Sequence, residues 1–185
     1  MKVLGISGSL RRDSHNTQLL RTAAELLPGD VEFELWDGLK QVPPYDEDDD
    51  VDPAPAGAAR LRAALAAADA VLIATPEYNS SIPGQLKNAI DWASRPLATN
   101  VLRNKPVAVI GASKSAFGAV WAQAELRKVL GATGARVIDA GVAVPHAHGR
   151  FDADGKLAGE ELVNELREAV EQLVSEIRPP LAAAA

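Results

Sequence analysis

Val71, Leu72, Ile73 and Ala74 form an apolar run without polar alternation, and it breaks at Thr75-Pro76. A short run with no wet face suits a central strand of a parallel sheet, covered on both sides. Pro76 cannot donate to a ladder, so the strand ends there. Glu77, Tyr78, Asn79, Ser80 and Ser81 make a polar loop. Pro83 suits the first turn of a helix whose apolar positions are Leu86, Ala89, Ile90 and Ala93. Strand, loop and helix in this order are the unit of a doubly wound α/β protein. Such sheets bind ligands beyond the carboxyl ends of their strands.

The unit recurs along the chain. Residues 3–6 predict a buried first strand, followed by SGSLRRDSHN and a helix over 17–27. In VEFELW, Val31, Phe33 and Leu35 face one way and Glu32 and Glu34 the other, which places a second strand at a sheet edge. Residues 37–56 read as a solvated loop. Its acidic run over 46–50 lacks the spaced ligands and the glycine of a calcium loop. A second helix spans 56–68. Beyond the central unit come a fourth strand over 107–110, the loop GASKSAFGAVW, a helix over 120–130 and a fifth strand over 136–140. The last helix covers 160–177, with Leu162, Leu166, Val170 and Leu173 on its buried stripe. Residues 1–178 read as a single domain and 179–185 as a flexible tail.

A buried first strand beside an edge second strand gives a five-stranded parallel sheet of order 2-1-3-4-5 between two helical layers. The first, third and fourth strands are then neighbours, so the loops over 7–16, 76–81 and 112–118 converge.

Composition narrows the chemistry. A formal net charge of −6 argues against nucleic acid or an anionic membrane as partner. With no cysteine, disulfides, thiol catalysis and thiolate-bound metal are excluded. No stretch approaches the roughly 20 apolar residues of a membrane span, and the opening apolar run is too short for a signal peptide, so a cytoplasmic location is expected.

The first loop has the makings of a phosphate cradle. It links a strand to a helix, where free N–H groups and the positive dipole end gather. Ser7, Ser9, Ser14, Asn16 and Thr17 add neutral donors, and Arg11 and Arg12 add charge. It is neither a P-loop nor the dinucleotide fingerprint, because Gly5 and Gly8 do not make G-x-G-x-x-G. In the second loop, main-chain groups of residues 77–79 suit the edge of a flat heterocycle, with Tyr78 packing on it. These amides, more than the Glu77 carboxylate, are the expected working groups. Ser113, Lys114 and Ser115 of the third loop could stabilise negative charge. His15 fills the first loop, and His146 and His148 lack the spacing of a helical zinc motif. No G-x-S-x-G elbow surrounds any serine. Trp92 and Trp121 suit the core or a subunit interface.

GSLRRDSHN, PEYNSSIPGQLKNAIDW and the GAS segment at 111–113 together resemble the NADPH-dependent FMN reductases, flavodoxin-like enzymes that include azo-dye, quinone and chromate reductases. The resemblance implies an FMN phosphate on Ser9, Arg11, Ser14, Asn16 and Thr17. It places the isoalloxazine edge at Pro76, Glu77, Tyr78, Asn79 and Ser81, and brings Ser113 toward the flavin. It further implies hydride transfer from NADPH (or NADH) to FMN. Electrons then pass to a small acceptor: a quinone, azo or nitro compound, metal oxyanion or free flavin. A homodimer or homotetramer is implied, with Trp92 and the loop over 43–50 as interface candidates. One departure stands out: the family's S-x-G-x-x-G-G continuation is here Ser113-Lys114-Ser115-Ala116-Phe117-Gly118-Ala119, with two glycines replaced. Two rival readings stay open. One is a flavodoxin-type electron carrier without a nicotinamide site, against which the Arg11-Arg12 pair counts. The other is a dinucleotide-binding dehydrogenase or regulator, against which the missing third glycine counts.

Overall fold

A computed structural model describes residues 1–177 of the chain. The expected tail over 179–185 lies outside the described residues. The elements run β1 (Lys2–Ser7), α1 (His15–Leu26), β2 (Glu32–Trp36), α2 (Ala56–Ala67), β3 (Ala70–Thr75), α3 (Gly84–Ala93), β4 (Pro106–Ala112), α4 (Val120–Ala132), β5 (Arg136–Val137), β6 (Ala143–Val144) and α5 (Glu160–Ile177). The pairings among these strands are parallel, in the order β2-β1-β3-β4-β5, with β6 also on β4. The predicted flavodoxin-like order is therefore observed, with the alternating strand β2 at the edge.

Alternate residues of each strand feed opposite layers, as the period of two requires. Leu4, Ile6, Val71, Ile73, Val107 and Val109 pack under α2, α3 and α4 through Leu61, Leu86 and Leu126. Val3, Leu72, Ala108 and Ile110 pack under α1 and α5 through Leu19, Leu20, Leu166 and Val170. Every residue of β3 and β4 is buried.

Two expectations are corrected. The fifth strand does not run through 136–140; it stops at Val137, and pairing resumes at Ala143. Arg127 of α4 enters the gap, donating to the carbonyls of Ile138 (2.5 Å) and Val109 (2.9 Å). Burial lowers its pKa from the usual value. Gly141 allows this approach, because a Cβ there would lie 2.4 Å from the guanidinium. The second correction concerns Trp92, which cannot serve an interface because it is 0% exposed within its own chain. Its indole N–H donates to the Pro43 carbonyl, which also accepts from Asn88, and Tyr45 packs edge-on against its ring at 5.0 Å. Arg62 lies over the same ring and bonds Asp50 at 2.8 Å, so the end of the acidic run is drawn inward. The long loop after β2 is thus fastened to α3. Among the described residues no helix is long and apolar enough to cross a membrane.

Candidate functional site

The ends of β1, β3 and β4 are adjacent in the sheet, and their three loops meet around a cleft of about 220 Å³. Ser9, Arg11, Ser14 and Asn16 come from the first loop and the start of α1. Pro76, Glu77 and Tyr78 come from the second, and Ser113 from the third. The wall also contains His15, Ala112 and Lys114. A second groove of about 310 Å³ adjoins through shared walls at Arg11 and Tyr78. Thr17, Asn79 and Ser81 are not on the wall of the cleft.

α1 begins two residues earlier than the periodicity suggests, and this changes several roles. Ser14 is its N-cap, nearly buried, with its hydroxyl accepting from the Thr17 N–H. The main-chain N–H groups of His15 and Asn16 have no hydrogen-bond partner among the described residues, as expected in a first turn. Thr17 turns its hydroxyl to Ser7 at 3.0 Å. The Asn16 amide donates to the Ala112 carbonyl and accepts from the Ala112 N–H, each at 2.9 Å. Asn16 therefore ties the first loop to the third, with one N–H remaining. Arg11 is exposed; its main-chain N–H donates to Ser9 Oγ at 3.4 Å, and among the described residues its guanidinium bonds only the Asp13 carbonyl, at 3.2 Å.

The second loop is a tight hairpin turn. Tyr78 and Ser81 exchange both main-chain hydrogen bonds, and Asn79 and Ser80 take positive φ values of 54° and 59°. Positive φ at both central positions is the signature of a type I′ turn, and asparagine tolerates it well. The Tyr78 amide and carbonyl are thus occupied, and the N–H groups of Glu77, Asn79 and Ser80 have no hydrogen-bond partner among the described residues. Glu77 Oε2 accepts from the N–H groups of Trp121 and Ala122, both at 3.1 Å. α4 carries no side-chain cap of its own, since its N-cap position is Ala119 in the left-handed region. Glu77 caps that helix from another loop and places its charge at the positive dipole end.

The third loop is held by the segment after β5. Ser113 N–H donates to the Val144 carbonyl, and the N–H groups of His146 and Ala147 donate back to Ser115 and Ser113. Gly118 takes φ +60°, and a Cβ there would lie 2.6 Å from the carbonyl carbon of Ala143. The glycine retained from the family's run is thus the one with no room for a side chain. Of the replaced positions, Ala119 accepts a left-handed backbone and buries its methyl. Phe117 and Trp121 meet edge-on at 4.8 Å and remain 56% and 47% exposed.

A larger groove of about 490 Å³ lies between the C-terminal halves of α3 and α4, at the opposite end of the sheet from the three loops.

The family model described as NADPH-dependent FMN reductase matches residues 1–149. An NAD(P)H-dependent FMN reductase of Pseudomonas aeruginosa is 41% identical over 182 residues, covering 96% of this chain and 97% of that one. A 2-hydroxy-1,4-benzoquinone reductase of a Burkholderia species is 38% identical over 179 residues, with the same coverage. Among solved structures, a flavoenzyme NAD(P)H:acceptor oxidoreductase of Paracoccus denitrificans superposes with a TM-score of 0.86 at 38% identity, over 95% of this chain and 96% of that one. The matched segment contains all three loops of the cleft, and on these grounds the chain belongs to the NADPH-dependent FMN reductase family of oxidoreductases.

Proposed function

We propose that the cleft holds FMN and that the protein passes electrons from NAD(P)H to a small acceptor, with quinones the favoured class. One observation carries the reading. Open N–H groups of α1, the Ser9 and Ser14 hydroxyls and Arg11 converge in the same cleft as the 76–78 and 113–114 loops. This donor set fits a phosphate monoester, because the one carboxylate on the wall, Glu77, is turned to the amino end of α4. Ser9, Arg11, Ser14 and the first turn of α1 hold the phosphate, and Pro76, Glu77 and Tyr78 with Ser113 border the ring. Bound FMN supplies the hydride and electron chemistry, so no side-chain nucleophile is required. The N–H group of Glu77, a residue of the cleft wall, is the donor of this loop available to a ring edge. Arg12, exposed and without a hydrogen-bond partner among the described residues, suits a second anionic ligand such as NAD(P)H. The quinone preference rests on the relatives, of which several are named quinone reductases.

The purified protein should show flavin absorbance, or acquire it with FMN, and should bleach on anaerobic mixing with NADPH. A colourless protein that FMN cannot reconstitute overturns the reading; bound FMN that NADPH fails to reduce leaves an electron carrier. Arg11→Ala should weaken FMN or NAD(P)H binding, and unchanged affinity for both would show the cradle misassigned. We also propose self-association as a homodimer or homotetramer over the surface carrying Phe117 and Trp121. A monomer mass in light scattering at micromolar concentration would overturn that.

A further inference from the structure

We infer that His15 is a phosphate ligand of the flavin site, with Nε2, the ring nitrogen not engaged by Gln18, recognising the monoester of FMN. The inference rests on the flavin reading above and assigns a residue beyond those placed there. His15 is the first residue of α1 and borders the cleft beside Ser9, Arg11 and Ser14. Its ring is held from two sides. Nδ1 lies 3.1 Å from Gln18 Oε1, which can only accept, so Nδ1 carries a proton. The ring stacks on Phe151 at 5.5 Å and an interplanar angle of 14°. With Nδ1 occupied, Nε2 is the nitrogen left for a ligand. An Nε2–H donating to the phosphate monoester would make a charge-assisted hydrogen bond, since the acceptor is an anion.

The support is itself fixed in place. Phe151 pairs with Leu157 in a short hairpin, and the Leu157 N–H donates to Thr22 Oγ1 of α1 at 3.0 Å. Lys156 of the hairpin bonds Glu25 of α1 at 2.8 Å. Gly155 lies against Gln18, the residue that sets the His15 ring. This hairpin follows the segment matched by the family model, which ends at residue 149. A histidine that only filled the loop would not need its tautomer set by Gln18 and its plane set by Phe151.

The test compares FMN with riboflavin, which has the ring and ribityl chain but no phosphate. Dissociation constants of both are measured by flavin fluorescence for the wild type, His15→Phe and His15→Gln. His15→Phe keeps the stack on Phe151 and removes the ring nitrogens; His15→Gln keeps a neutral donor should the phenylalanine variant fold poorly. The expected result is an FMN affinity about tenfold weaker, the scale of one charge-assisted bond, with riboflavin unchanged. Equal weakening of both flavins, or no change in either, would overturn the assignment. Failure of the wild type to bind either flavin would instead remove the flavin reading on which the assignment stands.

Discussion

Glu77 shows how one residue's chemistry is set by a partner distant in sequence. Its carboxylate borders the ligand cleft, yet both of its hydrogen bonds go to the amino end of α4. A charged cap of this kind is worth about 1–2 kcal/mol. Glu77→Ala should therefore lower the unfolding free energy by about that amount in urea titration, with Glu77→Gln losing less because one oxygen still accepts. An unchanged midpoint in both variants would show that the carboxylate does not cap α4. Asn16 is a parallel case. Its place in the first loop of the cleft was legible from SGSLRRDSHN, but its clamp on Ala112 was not, since that bond spans 96 positions. The polarity of such residues is a local property, whereas the identity of their partner is a tertiary one.

At the scale of elements, the strand interiors and the stop of β3 at Thr75 were read correctly, and the end of β5 was not. β3 and β4 are apolar throughout and buried throughout, so hydrophobic periodicity identifies them directly. β5 is interrupted where Arg127 of α4 takes the carbonyls of Ile138 and Val109, which neighbouring strands would otherwise pair. No local pattern announces that intrusion. The third loop depends on a similar long-range fit. Gly118→Ala should destabilise by more than about 2 kcal/mol, because it adds left-handed strain of roughly 1–2 kcal/mol to a direct clash with the Ala143–Val144 backbone. Ala119→Gly should be close to neutral, since about 1 kcal/mol of relieved strain is offset by the loss of a buried methyl worth about 0.8 kcal/mol. Chemical denaturation of the two variants side by side checks both. A Gly118→Ala protein as stable as the wild type would mean the loop can move away from β6.

For the whole molecule, binding and folding are linked because the cleft exists only when the three loops are assembled. FMN at about 100 times its dissociation constant should add about 2.7 kcal/mol to stability, raising the melting temperature by roughly 5–10 °C in a chain of this size. Removal of the flavin should reverse the shift. A melting temperature indifferent to saturating FMN would mean that folding does not create the site.

The sequence by itself determined the strand order, the two helical layers and the three loops that meet at the cleft. Each follows from short-range quantities: the period of the apolar residues, the position of prolines and glycines, and the polarity of a loop. Only the tertiary structure decided which groups within those loops are open to a ligand. Non-local partners consume most of the Asn16 amide and the Glu77 carboxylate, the turn to Ser81 consumes the Tyr78 main chain, and among the described residues the first N–H groups of α1 and Nε2 of His15 stay uncommitted. Hydrogen-bond capacity is local chemistry, but whether it is already satisfied depends on residues brought close only by the packed sheet.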